Sequence, residues 1–353
     1  MTDAQTLTFP HDAPPGPGCL IEVAPGVHWL RMPIPLALDH INLWLIEDED
    51  DAGAPTWTIV DSGYGHQDTK DLWAQIFNGP AAHRRPHRLI CTHYHPDHFG
   101  LAGWLVRTYG VDLSMTETEW VIGVLLQRLD DKSFVAGQEG FFTRHGMATD
   151  MRARLAQEGN EYAGRVDLPP DSFRRIRDGD CLQLGGRDWH IIVVEGHAPE
   201  QALLYCPEID TLICGDQLLP KITPNISVYW FKAGTRPLGD FLASLTKLEG
   251  LVPAQTLVLP SHKLPYYGVA TRIAQLHAHH AERLLALLSG MDRQEPRSAA
   301  ALVPSLFPRK LDDLHMIFAL GETIAHLEHL VGDGRAEMTA DADGVHRYRL
   351  TDE

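Results

Sequence analysis

The sequence lacks the features that mark disulfide-rich, secreted and membrane proteins. Its 353 residues contain only five cysteines, an odd number without a Cys-x-x-Cys pair, which argues against a disulfide framework and against a cysteine zinc site. No apolar run is long enough to span a bilayer. Residues 1–17 have neither the basic start nor the hydrophobic stretch of a secretory signal. We therefore expect a cytoplasmic protein with no membrane partner.

Positive charge is also scarce. Thirty lysines and arginines stand against 47 aspartates and glutamates, which gives a formal net charge of −17. Proteins that bind nucleic acid usually carry a basic stripe that neutralises phosphates. The clearest basic run here is Arg84, Arg85, His87 and Arg88, which we interpret as a solvated turn before a strand. The charge balance therefore predicts no nucleic-acid partner.

The length and the composition predict one large domain with an appendage. Hydrophobic residues make up 44% and charged residues 22%, an ordinary globular balance. Short β-prone runs before and after residues 116–178 predict two sets of strands, and residues 116–178 themselves predict a helical insertion that overhangs a site. The predicted strands cover residues 27–31, 41–47, 57–60, 88–91, 189–194, 202–205, 211–214 and 256–259.

The composition changes after Gly268. Helical segments rich in Leu, Ala and His follow, and residues 335–339 and 346–350 then predict a β-hairpin. Helices followed by one hairpin are typical of a winged-helix-like domain. We therefore divide the chain into a domain of residues 1–268 and a helical, winged-helix-like domain of residues 269–353.

The strongest chemical signal is the segment that follows the strand at 88–91. It places four metal-ligand side chains, His93, His95, Asp97 and His98, within six residues. This spacing does not form one helical face, so we expect the segment to wrap an ion from a loop that Pro96 stiffens. Imidazole and carboxylate groups suit Zn²⁺, and they also suit iron or manganese.

Three distant residues extend this set. His197, Asp216 and His262 each follow a short apolar run that predicts a strand. Side chains at strand ends on one edge of a sheet can converge in space. Each residue alone is a weak signal, because a histidine at a strand end is usually a surface residue. Taken together with the histidine-rich segment, they predict one metal site.

With these motifs the sequence resembles the metallo-β-lactamase superfamily over roughly Val27 to His262. The resemblance implies an α+β fold, a four-layer αβ/βα sandwich with the metals at one edge of its two sheets. It implies His93, His95 and His197 as ligands of a first ion, Asp97, His98 and His262 as ligands of a second ion, and Asp216 as a bridge between both.

The resemblance also concerns residues around the ligands. Asp61, in Asp61-Ser62-Gly63, matches a family turn whose aspartate supports a ligand without binding metal. True β-lactam hydrolases lack a bridging aspartate at the position that Asp216 matches, so a β-lactam substrate is disfavoured. Glu200 departs from the pattern of many thioesterase and lactonase relatives, and we expect hydrogen bonding from it rather than ligation.

These residues predict a dinuclear hydrolase that cleaves a thioester, a lactone or a carboxylic ester with a metal-bridging hydroxide. The catalytic residues would be Asp97, Asp216 and Tyr229, whose phenol would stabilise an oxyanion unless it belongs to an aromatic packing cluster. Phe141 and Phe142 in the insertion predict an apolar lid, which favours a small acyl or aromatic substrate. The cofactors would be two divalent ions, with zinc preferred and iron or manganese as alternatives.

Other functions stay open at this point. Relatives with a winged-helix tail include endoribonucleases, but Arg335, Arg347 and Arg349 alternate with acidic residues in this tail. Some relatives hold a redox-active iron in the same site, although no flavodoxin-like module follows here. A non-catalytic interaction protein would usually have lost ligands, and none is missing. We expect the tail to pack on the first domain or on a second copy in a homodimer.

Overall fold

Two β-sheets pack face to face in the computed structural model, which describes residues 6–232 and 234–351. The strands of the first sheet lie in chain order, antiparallel from the first strand to the fourth and parallel from the fourth to the seventh. They are β1 (Ile21–Ala24), β2 (Val27–Pro33), β3 (His40–Glu49), β4 (Pro55–Val60), β5 (Arg85–Ile90), β6 (Asp112–Met115) and β7 (Arg174–Arg175). This sheet is therefore mixed; the runs at residues 27–31, 41–47 and 57–60, whose pattern favours antiparallel strands, do pair antiparallel.

The second sheet is built from the later half of the chain. Its strands are β8 (Cys181–Leu184), β9 (Arg187–Val194), β10 (Gln201–Cys206), β11 (Thr211–Gly215), β12 (Leu257–Pro260) and β13 (Tyr266–Tyr267). The order across the sheet is β13-β12-β11-β10-β9-β8, and among these strands β11 and β12 form the parallel pair. The predicted strands of both sheets are present.

The alternation of side chains along β3 explains why the sheets are layered. Trp44 and Ile46 point into a core shared by both sheets, where they meet residues such as Trp189. Leu43 and Leu45 point to the opposite face and pack against helices. Because neighbouring side chains of a strand face opposite sides, a strand with consecutive apolar residues is buried on both faces.

Helices cover the outer face of each sheet. Over the first sheet lie α1 (Gln67–Phe77), α2 (Pro96–Phe99) and α3 (Ala102–Tyr109), followed along the chain by α4 (Glu117–Arg128), α5 (Asp131–Arg144) and α6 (Thr149–Leu155). Helices α7 (Pro237–Leu251) and α8 (Val269–Ser289) cover the second sheet. The predicted α+β four-layer sandwich is confirmed.

The segment 116–178 forms the helical insertion that the sequence predicted, and it ends with the short strand β7 at the edge of the first sheet. The sequence predicts helices at residues 119–129 and 151–158, which α4 and α6 confirm, whereas α5 was not predicted. Within the described residues, 6–232 and 234–351, no helix is both long and apolar enough to cross a membrane.

The end of the chain forms a third, small sheet against helices. After α8 come β14 (Arg297–Ser298), α9 (Ala299–Leu306), α10 (Asp313–Gly332), β15 (Ala336–Ala340) and β16 (His346–Leu350), and the sheet order is β14-β16-β15. Leu276, Leu320 and Ile324 share one core with Phe241 and Leu245 of α7. The tail therefore packs on the preceding domain, as expected, while a boundary at residue 268 stays a prediction.

Candidate metal centre

The candidate ligands lie just beyond the ends of strands from both sheets. His93 follows β5, and His197 lies between β9 and β10. Asp216 directly follows β11, and His262 lies two residues beyond β12. These strand ends meet at one edge of the sandwich, where all seven predicted side chains come together. Within each group of side chains that forms there, the ligand atoms lie within 4.8 Å of one another.

The histidine-rich segment is more regular than the sequence predicted. Asp97 and His98 lie in the one-turn helix α2, which begins at Pro96, and not in an open loop. The sequence also predicts a longer helix over about residues 99–109, and this helix, α3, begins at Ala102. A proline at the first helical position has its backbone angle already set and needs no N–H partner, so it starts this turn directly after His95.

The first group consists of three imidazoles. Nε2 of His93 lies 3.0 Å from Nδ1 of His95 and 3.3 Å from Nε2 of His197. Two nitrogen ligands at about 2.0–2.1 Å from a tetrahedral ion would lie roughly 3.3 Å apart. The spacing of these nitrogens therefore fits one divalent ion.

The second group combines imidazoles with carboxylates. Oδ2 of Asp97 lies 3.4 Å from Nε2 of His262, and Oδ1 of Asp216 lies 3.4 Å from Nε2 of both His98 and His262. Nε2 of His98 and Oδ1 of Asp216 are buried without a hydrogen-bond partner among the described residues. A cation between these two atoms would satisfy both of them.

Asp216 lies between the two groups. Its Oδ2 lies 3.3 Å from Nε2 of His197 in the first group, while its Oδ1 faces the second group. A carboxylate with one oxygen directed at each group is suited to bridge two ions. The donor set, five imidazoles and two carboxylates, fits the divalent ions that the sequence predicted.

Hydrogen bonds orient four of the histidine rings. Their Nδ1 atoms lie 2.8–3.0 Å from oxygen atoms: Thr92 Oγ1 for His93, Asp61 Oδ2 for His98, the Asn225 carbonyl for His197 and the His40 carbonyl for His262. A ring that donates its Nδ1–H to an oxygen presents a free Nε2 on the other side. This arrangement is usual around protein-bound metals, where a second partner fixes each ligand ring.

Asp61 plays the supporting role that the sequence predicted. Its carboxylate accepts hydrogen bonds from the Thr92 backbone N–H at 2.7 Å and from the Thr92 hydroxyl at 2.9 Å, besides contacting His98. Its φ of 64° lies in the left-handed region, where aspartate is more readily accommodated than most residues. This backbone conformation is part of the turn that holds the buried carboxylate beneath the ligands.

The turn before His197 depends on glycine. Gly196 has a φ of 114°, and a Cβ at this position would lie 2.4 Å from the Cβ of Phe241 in α7. A larger residue would therefore push the turn away from α7. Gly196 thus allows His197 to reach the edge of the sandwich where the other ligands lie.

The charges around the candidate ligands favour a positive ion. Burial lowers the pKa of His93 and of His95 well below the usual value, so both rings are neutral. Burial also opposes protonation of His98 and His262, but carboxylates outweigh it: Asp61 and Asp97 raise the pKa of His98, and Asp216 raises the pKa of His262 to about 9. The negative field that holds those protons would equally hold a dication.

Sequence reasoning missed Glu119, which is fully buried in the first turn of α4. Its carboxylate accepts hydrogen bonds from the backbone N–H of Tyr94 at 3.0 Å and of Glu200 at 2.7 Å. It thereby joins the segment of His93 and His95 to the segment that follows His197. Burial raises the pKa of Glu119 to about 7, against the effect of these two N–H groups.

Glu200 makes hydrogen bonds and is not among the grouped ligands, as predicted. Its carboxylate accepts from the Thr118 N–H at 3.1 Å, and its carbonyl accepts from the Thr116 hydroxyl at 2.7 Å. Glu200 therefore caps the start of α4. Its contacts, together with those of Glu119, fix this helix beside the metal centre.

A cavity of about 280 Å³ opens onto His95, Asp97 and His197. Tyr229 lines it, with its ring centroid 6.5 Å from that of His95 and stacked at 5.5 Å on Phe231. The predicted lid residues Phe141 and Phe142 also line it. Other lining residues come from α10 in the C-terminal segment, namely Leu314, Ile317 and Phe318, which sequence reasoning did not place near the site.

Two family models together match most of the chain. The model of the metallo-beta-lactamase superfamily matches residues 37–262, and the model of the metallo-beta-lactamase-like C-terminal domain matches residues 285–351. Among curated proteins, the probable metallo-hydrolase YqjP of Bacillus subtilis is 24% identical over 310 residues, which cover 85% of this chain and 91% of that protein.

Solved structures agree with these matches. A beta-lactamase domain protein from Burkholderia ambifaria is 41% identical, with a TM-score of 0.90 and 98% of each chain covered. A metallo-beta-lactamase family protein from Thermus thermophilus is 29% identical, with a TM-score of 0.77 and coverage of 94% of this chain and 100% of that chain. With this fold and these His and Asp clusters, the chain belongs to the metallo-beta-lactamase superfamily and is a metal-dependent hydrolase.

Proposed function

We propose that the protein hydrolyses an ester-like bond, in a thioester, a lactone or a carboxylic ester, of a small and largely apolar substrate. The observation that supports this choice is the cavity of about 280 Å³ that opens onto His95, Asp97 and His197. A substrate that fills this cavity would present its polar, scissile group to the metal centre.

Two divalent ions, preferably zinc, would occupy the centre. His93, His95 and His197 would hold the first ion, Asp97, His98 and His262 the second, and Asp216 would bridge them. Such ions lower the pKa of a bound water and polarise a carbonyl oxygen. The protein's part is to orient the imidazoles and to offset the charge of the ions with Asp97 and Asp216.

The walls of the cavity favour an acyl or aromatic group. Phe134, Phe141 and Phe142 of α5 form one side, and Trp230 and Phe231 form another. Apolar walls with few polar groups bind substrates through burial of apolar surface. A bare phosphate or a polynucleotide backbone would lose part of its hydration against these apolar walls.

We propose that Tyr229 donates a hydrogen bond to the reacting group. Burial raises the pKa of its phenol to about 12, so the phenol keeps its proton at neutral pH. Asn225 donates from Nδ2 to the phenol oxygen at 3.2 Å, and the carbonyl of the same Asn225 contacts His197. We propose that this contact holds the phenol beside the centre, where it stabilises negative charge on the substrate oxygen.

The C-terminal segment would be a winged-helix-like appendage that forms part of the wall of the substrate cavity. Its order of helix, strand, two helices and hairpin suits that description. Arg347 is paired with Asp341 at 2.8 Å, and Arg349 is paired with Glu337. Arginines that are already paired have less charge to offer to phosphates, which disfavours the endoribonuclease alternative.

The test combines metal analysis with a substrate panel. Full-length protein purified without added metal is analysed for zinc, iron and manganese, and is then assayed on a carboxylic ester, a lactone, a thioester and RNA. We expect about two ions per chain and turnover of at least one of the first three substrates. One ion only would contradict the dinuclear centre, and cleavage of RNA alone, or oxygen-consuming redox activity of bound iron, would contradict the proposed reaction.

Two variants separate the roles of the residues. Asp216→Asn keeps the size but removes a negative charge, so we expect loss of bound metal and a sharp fall in turnover. Asp171→Asn, at an exposed aspartate, is the matched control and should change neither. Tyr229→Phe should keep both ions and lower kcat more than it changes KM, because the phenol is proposed to act in the transition state.

A further inference from the structure

Helix α10 of the C-terminal segment presents apolar side chains to the cavity. Leu314, Ile317 and Phe318 recur at the spacing of one helical face. Within the same helix, Leu320 and Ile324 are fully buried in the core, whereas Phe318 is 38% exposed. The first turns of α10 thus leave part of their apolar surface uncovered at the cavity that reaches the metal centre.

The start of α10 is fixed in position. Arg154 of α6 donates to both carboxylate oxygens of Asp313, from Nε at 2.6 Å and from Nη2 at 2.8 Å. Asp312 caps the helix by accepting from the backbone N–H of His315 at 2.8 Å. A two-point contact between an arginine and a carboxylate fixes orientation as well as distance. The wall formed by α10 is therefore attached to the insertion, whose helix α5 also lines the cavity.

Helix α10 also contacts the loop that carries Tyr229. The backbone N–H of Val228 donates to the Gly321 carbonyl at 3.2 Å. A Cβ on Gly321 would lie 2.8 Å from the Ser227 hydroxyl oxygen, so glycine allows this close approach. The position of α10 therefore bears on both the wall of the cavity and the loop beside the metal centre.

From these contacts we infer that α10 is the specificity-determining wall of the substrate site. Leu314, Ile317 and Phe318 contact the apolar part of the substrate and limit its length. The volume of about 280 Å³ lies near the lower end of ligand pockets, roughly 300 Å³ and above. The site would therefore take a medium-length alkyl chain or a single aromatic ring as the acyl group. This inference rests on the proposed function for the bond that is cleaved.

The experiment measures kcat/KM of the metal-loaded full chain on p-nitrophenyl acetate, butyrate, octanoate and dodecanoate. In Leu314→Trp a larger ring projects into the cavity, and we expect the ratio of octanoate to acetate to fall by about tenfold or more. Phe318→Ala enlarges the cavity, and we expect the ratio of dodecanoate to octanoate to rise. Leu285→Trp, on the exposed face of α8, is the matched control and should keep both ratios.

A binding measurement separates failure of this inference from failure of the proposed function. Calorimetric titration with 1-octanol reports on the cavity without any bond cleavage. If no ester is hydrolysed, the proposed reaction fails, and weaker 1-octanol binding in Leu314→Trp but not in Leu285→Trp still supports the α10 wall. If esters are hydrolysed with the same length profile in every variant, the α10 wall is overturned while the proposed reaction stands.

Folding of the variants is checked by circular dichroism. Phe318→Ala truncates a side chain that is 38% exposed, so it keeps the inference testable if Leu314→Trp does not fold. An unchanged profile and unchanged 1-octanol affinity in a folded Phe318→Ala variant would then count against the inference.

Discussion

Glu119 shows how a residue outside the ligand set controls the geometry of the centre. Its two carboxylate oxygens accept hydrogen bonds from two different chain segments, at Tyr94 and at Glu200. The first segment carries His93 and His95, and the second follows His197. A buried backbone N–H without a partner costs free energy, so these two bonds define how the segments sit against each other.

Replacement of Glu119 by glutamine should disturb this arrangement. At pH 8, above the pKa of about 7, the carboxylate accepts two N–H bonds. Glutamine offers one oxygen, and its NH₂ group would face the other N–H, donor against donor. We expect Glu119→Gln to lower the free energy of unfolding by about 1–3 kcal/mol and to weaken metal retention. Urea unfolding and metal analysis after dialysis measure both effects.

Glu117→Gln is the control for this prediction. Glu117 lies in the same turn of α4, but it is exposed and paired with Arg175 at the surface. Such exposed pairs contribute little to stability, so this variant should behave like the unaltered protein. Equal metal retention and equal unfolding in the two glutamine variants would mean that Glu119 does not position the ligand segments.

The difference between the ligands and Glu119 shows which residues a sequence can reveal. His93, His95, Asp97 and His98 stand out because metal-binding side chains rarely occur so close together after a strand. Glu119 carries no such signal, because a glutamate in the first turn of a helix is usually a surface residue that interacts with the helix dipole. Its role depends on α4 folding back over the strand ends, which is a tertiary contact.

At the scale of elements, the aromatic loop beside the centre lies against α5. Gly137 of α5 faces the ring of Trp230, and a Cβ there would lie 2.3 Å from the Cε3 atom of that ring. The Phe134 ring lies 5.5 Å from the Trp230 ring in an edge-to-face contact. Helix α5 thus sets the position of the loop that carries Trp230 and Phe231.

A methyl group at Gly137 should therefore displace the loop. In an open helical position, the change from glycine to alanine stabilises by about 0.5–1 kcal/mol. At Gly137 the clash with the Trp230 ring should exceed this gain. We expect a lower melting temperature and a lower kcat/KM on an ester substrate, because Trp230 lines the cavity. Thermal unfolding and steady-state kinetics measure the two effects.

Gly140→Ala is a control from the same helix. A Cβ at Gly140 would meet nothing within 4 Å among the described residues, so only the helix propensity changes. This variant should melt at a higher temperature with unchanged kinetics. If Gly137→Ala gained stability to the same extent, close packing of α5 on the loop could not be what positions Trp230.

The elements were predictable where their patterns were strong. β3 is apolar at five of the six positions from 41 to 46 and was predicted as residues 41–47 within the observed His40–Glu49. Helix α5 was missed because Gly137 and Gly140 weaken its helical pattern and its apolar side chains face a cavity as well as a core. The role of α10 as a cavity wall was not predictable, because several helices and strands lie between it and the ligand residues along the chain.

At the scale of the whole molecule, the C-terminal segment is joined to the rest by a common core. Leu276 and Leu320 are fully buried together with Phe241 and Leu245 of the preceding domain. The apolar surface that this segment covers would be exposed without it. A helical tail was predictable from composition, but its contribution to the substrate cavity required the three-dimensional arrangement.

The charge of the whole molecule leads to the last prediction, which concerns nucleic acid. With a net charge of −17 and with Arg347 and Arg349 paired to acidic residues, the chain has little free positive charge in its C-terminal hairpin. We expect no sub-micromolar binding of a short RNA or DNA duplex by fluorescence anisotropy. A protein that neutralises several phosphates loses about a thousandfold or more in affinity between roughly 50 and 200 mM salt, and this signature should be absent.

A charge-reversal variant shows that the assay would detect such binding. Glu337→Lys with Asp343→Lys removes the partner of Arg349 and adds two positive charges to the hairpin, so weak, salt-sensitive binding should appear. Strong and salt-sensitive binding by the unaltered protein would instead mean that the acidic surface leaves a local path for phosphates. The endoribonuclease alternative would then regain support, because the metal centre would have a route to a polyanionic substrate.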